Sequence, residues 1–344
     1  MRAAFALNVV NREDWHIDRG AIGLGGAPAT LPADETIQVR GHVKRLDAPA
    51  YVVAWQQLRK GAPDTHADID LSADELAFGD RVYLDANVQA NAMSLEIAAP
   101  ALGTVTGTIT PGAREVAFND LRLKKEALTG TGSLRCSTDL SVCSSKFELH
   151  TTDSGATLAD LGFRRDLSAD TGSLSGEISW SPNKEGPWLA SATGTLSMSF
   201  EDGTAHQPDR SVSGRPFPLL AVPELLGGIA SAGSRDIGFK RLDATFALRD
   251  GQAITSDLHF DGDAEILLRG RVGLLARDYD YEAWVLRGEE RIPASVRRLP
   301  SAPRVAAAWL SLRELVGVEG ANRSRTMFRL RGTWSDPEVT TESR

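Results

Sequence analysis

Hydrophobic and polar residues alternate along most of the chain, beginning with segments 36–43 and 81–90. The apolar positions are Ile37, Val39 and Val43 in the first segment, and Val82, Leu84, Ala86, Val88 and Ala90 in the second. A period of two places successive side chains on opposite faces of an extended strand. Both segments are therefore predicted to be β-strands with one apolar and one polar face.

Six further segments share this period. They cover residues 194–200, 242–248, 254–260, 266–274, 279–285 and 328–334. A strand with one dry and one wet face is typical of antiparallel sheets, whereas the strands of parallel α/β sheets are apolar on both faces. Turn residues such as Asp250 and Gly251 separate the segments. The predicted fold class is mainly β, as a long antiparallel meander.

Helical patterns are few. Four segments have helical character: residues 49–58, 154–163, 218–230 and 302–316. Asp153 or Ser154 is expected to cap the second segment, and Pro223 interrupts the third. The fourth is amphipathic, with its apolar residues at helical spacing on one side, and Gly317 ends it. A boundary near residue 150 divides the chain into predicted domains 1–150 and 151–344.

Charge and composition narrow the classes of function. Lys and Arg together number 38 and Asp and Glu 46, so the formal net charge is -8 and the pI is about 5.4. An acidic chain without a basic block is not expected to bind nucleic acid or to be held on anionic lipid head groups by charge alone. The sequence contains no run of about 18 apolar residues, so no transmembrane helix is predicted. Any contact with a membrane is expected through an apolar surface.

The two cysteines, Cys136 and Cys143, lie close together in the segment LRCSTDLSVCSS. Their spacing suits a turn between two strands. In an oxidising compartment this predicts a hairpin disulfide, and in a reducing compartment it predicts two free thiols. Without a nearby pair of histidines, the cysteines do not predict a zinc site.

Candidate catalytic and metal-binding groups are scattered. The six histidines are His16, His42, His66, His150, His206 and His259, and no two have the spacing of metal ligands. His42 and His259 fall on the polar faces of their strands and are expected at the surface. The glycine-rich residues 20–26 lack the Gly-Lys-Ser/Thr ending of a phosphate-binding loop, so they predict tight turns. Neither a catalytic triad nor a complete calcium loop is present, and no catalytic residue, metal or cofactor is predicted.

Several longer stretches follow one another in a specific order. They are DSGATLADLGF, GSLSGEISWSP, ATGTLSMSFEDGTA, PFPLLAVPELLGGIA and IGFKRLDATFALRDGQAITSDLHF, and the last is MFRLRGTWSDPEV. In the last stretch, Gly332, Thr333, Trp334, Asp336 and Pro337 form a G-T-W-x-D-P ending. From about residue 153 to residue 337 the chain resembles the C-terminal region of the YhdP family, within the AsmA-like superfamily. The preceding half resembles the family more weakly, in DWHIDRGAIGLGGAPATLP and IQVRGHVKRLDAPAYVVAW.

The resemblance implies an apolar β-groove that passes phospholipid between the inner and outer membranes and supports the permeability barrier, without catalysis. Its lining is expected to include Val82, Leu84, Val88, Leu196, Met198, Phe246, Leu258, Phe260, Ile266 and Leu268. The family has an inner-membrane anchor and a long periplasmic groove. The resemblance therefore implies a periplasmic location, and we expect this chain to be a C-terminal fragment without the anchor. Membrane contact is expected at the C-terminal end.

Two other interpretations remain open. The same apolar residues would also suit the packed core of a β-sandwich or barrel, and the protein would then be an envelope scaffold without lipid cargo. The third interpretation is a carbohydrate-active or lipolytic β-enzyme, which requires facing carboxylates or a nucleophile with its base. Phospholipid that co-purifies with the protein would separate the groove from the scaffold.

Overall fold

The structure is a computed structural model whose described residues form two units. It describes residues 2–11, 15–47, 65–78, 81–91, 93–112, 114–182, 187–206, 215–219, 221–229, 236–262, 265–286 and 325–342. Unit 1 comprises Met1–Ser145 and Ser181–Trp188, and unit 2 comprises Lys146–Trp180 and Leu189–Arg344. The described residues are mainly β-strand, as predicted, with two short α-helices among them.

The described residues of unit 1 form nine strands, each paired with the next one along the chain. They are β1 (Ala3–Asn11), β2 (Trp15–Leu24), β3 (Thr36–Asp47), β4 (His66–Phe78), β5 (Arg81–Asn91), β6 (Ser94–Ala99), β7 (Gly103–Pro111), β8 (Glu115–Lys124) and β9 (Leu128–Ser137). The pairs β1–β2 and β4–β5 through β8–β9 are antiparallel. This part of the sheet follows the predicted meander.

The pairs β2–β3 and β3–β4 are parallel, so the prediction of a wholly antiparallel sheet is wrong at this point. Gly20 pairs with Ile37 at the start of β3, so the chain must return along the strand before β3 begins. Residues 25–35 make this return close to the strands. A Cβ atom on Gly41, whose φ is +126°, would lie 2.1 Å from the carbonyl oxygen of Leu24. Only glycine fits this close approach.

The buried face of unit 1 changes phase partway along β4 and β5. Ala73 and Ala86 are buried partners, but the next buried position of β4 is Leu76, whose partner Tyr83 packs against the same apolar cluster. Asp85, between the two arrangements, has a φ of +53°. This local change shifts the alternation by one residue, so the single apolar face predicted for residues 82–90 is wrong for its first half.

Cys136 of β9 is joined to Cys143 by a disulfide bond, with the two Cα atoms 4.1 Å apart. The intervening turn is held by the Ser137 backbone N–H, which donates to the Val142 carbonyl at 2.9 Å. Both cysteines belong to unit 1. The disulfide therefore crosslinks the two ends of one hairpin turn, and both of its cysteines lie within unit 1.

Unit 2 continues the strand order of the chain. Strand β10 (Cys143–Thr151), which contains the predicted boundary at residue 150, begins in unit 1 and ends in unit 2. The other described strands of unit 2 are β11 (Leu167–Trp180), β12 (Thr193–His206), β13 (Asp236–Arg249), β14 (Gln252–Gly262), β15 (Glu265–Gly273), β16 (Asp278–Leu286), β17 (Arg325–Thr333) and β18 (Asp336–Glu342). Each strand from β11 to β18 pairs antiparallel with the next. The predicted meander is confirmed in this part of the chain.

Two of the four predicted helices lie in described residues. Helix α1 spans Ser154–Asp160, and the Asp153 carboxylate caps it by accepting the Ala156 backbone N–H at 2.8 Å. Helix α2 spans Val222–Ile229. Pro223 does not break it, because proline is tolerated in a first turn where its missing N–H has no helical partner. The predicted helices at 49–58 and 302–316 lie outside the described residues.

The polar face of unit 2 carries ion pairs between neighbouring strands. Glu282 of β16 lies between its register partners Arg269 and Arg329, with closest N···O distances of 2.7 and 3.0 Å. The hydrogen bond from Arg269 is the largest cause that lowers the pKa of the Glu282 carboxyl, and Arg329 adds to it against the effect of burial. The charged form of Glu282 is thus favoured in the folded state.

We expect E282Q to destabilise the protein by about 1 kcal/mol or less at neutral pH, because partly exposed ion pairs are weak. The lowered pKa means that the stabilisation is present above the ordinary value of 4.5 and is lost as the pH falls through the lowered value. Urea unfolding curves of the wild type and E282Q should therefore differ at neutral pH and converge in acid. E177Q, at an exposed carboxylate of β11, serves as a control without this pH dependence. A difference that persists in acid would contradict the ion-pair explanation.

Candidate functional site

Unit 1 presents an apolar face made of two rows of residues that cross the strands. In each row, every residue is the register partner of the next. The long row is Ala3, Leu24, Gly41, Leu71, Val88, Ile97, Val105, Leu123 and Gly130, and the short row is Phe5, Ile22, Val39, Ile69, Ala90, Leu95 and Gly107. Register partners share a face of the sheet, so the two rows form one continuous surface, the apolar face of unit 1.

Most of this face is only half-buried. Leu24 and Leu71 are covered, but Ile69, Val88 and Ile97 pack against the buried cluster with part of their surface still accessible. At one end of the short row, Phe5 is 66% exposed. The side chains thus contact their neighbours within the sheet and keep part of their surface accessible in the part of the chain that the structure describes.

The opposite face of the same strands is polar. Its row is Ala4, Gly23, Arg40, Asp70, Gln89, Glu96, Thr106, Arg122 and Thr131. Arg40 pairs with Asp68 of the neighbouring strand, and Gln89 donates to Asp70 at 3.5 Å. The sheet of unit 1 therefore separates a hydrated face from an apolar one across its full width.

The three residues of unit 1 that the sequence assigned to a groove lining fall in two places. Val88 lies in the long row. Val82 and Leu84 are 43% and 61% exposed and lie outside the buried cluster, because of the phase change at Asp85. The other members of the rows were missed. Their alternation is visible in the sequence, but which residues align across strands depends on register.

The seven predicted lining residues of unit 2 belong to one packed cluster. They are Leu196, Met198, Phe246, Leu258, Phe260, Ile266 and Leu268, and none is more than 9% exposed. Phe260 and Ile266 are partners in a further row, which also contains Gly172, Phe200, Leu242 and Val285. Gly172 makes room for the Phe200 ring, since a Cβ there would lie 2.7 Å from it. On this unit the apolar face is filled.

Helix α2 contributes to this filling. Val222 and Leu225 of the helix, and Ala221 just before it, have no exposed surface and belong to the same cluster as the sheet residues. The helix packs against both β12 and β18, which lie at the two ends of the β12–β18 run of strands. It therefore lies across the apolar face of the strands between them.

A buried ionic group fixes the start of α2. Arg164 pairs with Glu224 of α2 at 2.9 Å and with Asp166 at 2.8 Å, and the Arg164 and Glu224 side chains are less than a tenth exposed. Burial is the largest cause that raises the pKa of Asp166, and Arg164 acts against it. A cavity of about 10 Å³, roughly the size of one water, adjoins Arg164 and is bounded by Phe217 and by Pro223 of α2.

Three buried donors of unit 2 have no hydrogen-bond partner among the described residues. They are the hydroxyls of Tyr279 and Tyr281 and the indole Nε1 of Trp334. The Tyr279 ring centroid lies 6.4 Å from that of Tyr281 and 6.4 Å from that of Trp334. Burial raises the pKa of both tyrosines, and Glu224, Arg164 and Asp166 are close enough to act on Tyr279 as well. Both hydroxyls therefore remain donors.

His259 is buried, so its expected surface position is wrong. It is 4% exposed and hydrogen-bonds Glu265, which is fully buried, at 2.9 Å. The pairing of β14 with its neighbours shifts near Asp257, whose carboxylate accepts the Thr245 N–H at 2.9 Å and the Thr255 hydroxyl at 3.0 Å. Around this shift, both faces of β14 are covered by protein.

The described residues contain no group of three or more His, Cys, Asp or Glu residues arranged to hold a metal ion. In the same part of the chain, every helix is too short or too polar to cross a bilayer. Several charged side chains of unit 2 form ion pairs with one another, and the apolar rows of unit 1 contain no ionisable residue. The apolar faces are therefore the strongest candidates for a functional surface.

Comparison with known protein families gives a match over most of the chain. The model of a family described as YhdP protein matches residues 86–339. These residues run from β5 to β18 and so include strands of both units. No curated protein and no solved structure matches the chain.

The difference between the filled and the half-open face predicts different responses to truncation. We expect L268A, in the packed cluster of unit 2, to cost about 2–5 kcal/mol of unfolding free energy, because it leaves a cavity. The same change at half-buried Leu123 of unit 1 should cost about 1 kcal/mol or less, in proportion to the smaller area lost. Chemical denaturation monitored by hydrogen exchange reports the unfolding free energy of each unit separately. Equal losses would show that both faces are packed alike.

Proposed function

Because the chain belongs to the YhdP family of envelope-associated, AsmA-like proteins, we propose that it carries the acyl chains of phospholipid along the apolar face of unit 1. The proposed route lies between the inner and outer membranes, and the proposed result is support for the outer-membrane permeability barrier. The half-buried rows of unit 1 carry this proposal.

The energetics of lipid transfer favour such a surface. A two-chain phospholipid has about 30 methylene groups, each worth roughly 0.8 kcal/mol when kept from water. Passage through water would therefore cost on the order of 20 kcal/mol or more. A continuous apolar row such as Val39, Ile69 and Ala90 can lower this cost at every step.

The composition of the rows suits movement rather than tight binding. Both rows consist of aliphatic, aromatic and glycine residues, which contact acyl chains without directional bonds. Such contacts are individually weak and nearly equivalent along the track. A lipid is thus not held at one position, while the polar face keeps the sheet hydrated.

A second candidate is an envelope scaffold with a packed β core and no lipid cargo. The cluster of unit 2 favours it, since the seven predicted lining residues there are at most 9% exposed. In this alternative, unit 1 would be covered by a partner and would retain no lipid. Members of the family are in general not enzymes, so we propose no catalytic role.

We propose a periplasmic location for the chain. The Cys136–Cys143 disulfide supports this location, because such bonds persist in oxidising compartments. The acidic charge of the chain supports membrane contact through apolar surface and not through charge.

Site-specific photo-crosslinking tests the lipid track. A benzophenone amino acid placed at Ile69 or Val88, on the apolar face, should capture phospholipid in the cell envelope, and mass spectrometry would identify the adduct. Their sequence neighbours Asp70 and Gln89 lie in the polar row and serve as matched controls. We expect several-fold higher lipid yield at the apolar positions.

The same experiment separates the two candidate functions. Capture of protein but not of lipid at Ile69 and Val88 would favour the scaffold. Equal lipid capture at all four positions would indicate nonspecific contact and would contradict a track on one face. Native mass spectrometry of the gently purified chain gives an independent measure of bound phospholipid.

The proposed compartment has its own test. In cells quenched with an alkylating agent, we expect Cys136 and Cys143 to resist modification until a reductant is added, because the disulfide protects both thiols. Tandem mass spectrometry of the peptide that contains them reports the fraction oxidised. Predominantly alkylated cysteines in unreduced samples would argue against a periplasmic location.

A further inference from the structure

The register of three neighbouring strands brings a serine, a histidine and an aspartate together in unit 2. Ser168 lies near the start of β11, His206 ends β12 and Asp236 begins β13. His206 is the register partner of Asp236, and Ser168 lies diagonally across from it, opposite Thr204. Because the three residues are 38 and 30 positions apart in the chain, no local motif in the sequence marks the group.

Two hydrogen bonds connect these three side chains. The Ser168 Oγ lies 3.0 Å from His206 Nε2, and Asp236 Oδ1 lies 2.9 Å from His206 Nδ1. An ionised carboxylate can only accept a hydrogen bond, so the neutral histidine donates from Nδ1, and its Nε2 accepts the Ser168 hydroxyl. A hydroxyl bonded to a base that a third group orients is the arrangement of an activated nucleophile.

The group lies on the hydrated face of the sheet. Leu167 and Ala205 are register partners, are each 1% exposed and belong to the packed cluster of unit 2. Ser168 and His206 follow them directly in the chain and therefore lie on the opposite face. Ser168 is half-buried, and the His206 side chain is 35% exposed. A small soluble reagent can thus reach the hydroxyl.

We propose that Ser168 is a site of covalent acylation, with His206 as the general base and Asp236 as the residue that positions His206. The acyl donors are small, water-soluble esters or thioesters with a good leaving group, since the site is on the hydrated face. The inference does not rest on the proposed lipid track, which uses the apolar face of unit 1.

The proposed step is an acyl transfer. The Ser168 Oγ attacks the carbonyl carbon of the donor, and a new Oγ–C bond forms while the bond from that carbon to the leaving oxygen or sulfur breaks. The hydroxyl proton passes to His206 Nε2, and the Asp236 carboxylate stabilises the imidazolium that results. The imidazolium then gives this proton to the leaving group or to water, which restores the neutral histidine.

Unit 1 contains a second group of the same residue types, with looser geometry. His42 Nδ1 lies 3.1 Å from Ser72 Oγ, and its Nε2 lies 3.2 Å from Asp74. Both distances are longer than in unit 2, and the His42 side chain is 51% exposed against 35% for His206. A ring that is held less firmly is a less effective base, so Ser72 should react more slowly than its counterpart in unit 2.

The wild-type full chain gives a direct test with p-nitrophenyl acetate. After brief exposure, mass spectrometry of proteolytic peptides measures acetylation at each serine. Ser145 gives the background rate, because it is also half-buried but donates its hydroxyl to the Ser133 carbonyl at 3.1 Å. We expect Ser168 to react on the order of 100-fold faster than Ser145, as general-base assistance provides, with Ser72 between them. Equal rates at Ser168 and Ser145, or a faster reaction at Ser72 than at Ser168, would overturn the assignment.

Chemical rescue separates the role of His206 as a base from a structural role. H206A removes the imidazole, so acetylation of Ser168 should fall to the background rate. Free imidazole added to this variant should restore part of the rate, because it can enter the vacated space and accept the proton. Unchanged acetylation in H206A, or a loss that imidazole does not restore, would contradict general-base assistance by His206.

D236N tests the positioning of His206. An amide can donate as well as accept, so it no longer fixes the proton on Nδ1, and the rate at Ser168 should fall about tenfold or more. Nitrogen NMR spectra of His206 should show the same loss as a shift away from the Nδ1–H tautomer. E177Q, at an exposed carboxylate of β11, should change neither measurement. If D236N also changes neither, Asp236 does not position the base and that part of the proposal is wrong.

Discussion

The structure depends on one constraint: every strand with an alternating sequence leaves an apolar face that must be kept from water. Burial of that surface is the main favourable contribution to folding, and a sheet cannot supply it without a second layer or a ligand. The two units meet this constraint differently. Unit 2 covers Phe246 and Leu258 completely, whereas unit 1 leaves Ile69 and Val88 half-buried.

The buried ionic group beside α2 is informative because stability alone does not require it. Taking Arg164 and Glu224 out of water costs several kcal/mol per ion, and a well-packed apolar pair is often equally stable or more so. A leucine at position 224 would cover the face without an ion. The charge pairs α2 with Arg164 at 2.9 Å, so the ionic contact fixes one position of the helix in addition to its apolar packing.

The sequence predicts the apolar faces well wherever the period of two is unbroken. Leu242 and Phe246, like Tyr279 and Tyr281, are buried as their alternation indicates. The prediction fails near Asp85 and Asp257, where an irregular residue shifts the phase while the composition of the strand stays the same. The buried position of His259 and the parallel pairing of β3 follow from tertiary contacts that no local pattern contains. For the same reason, the sequence identifies Val88 but not the cross-strand rows of which it is a member.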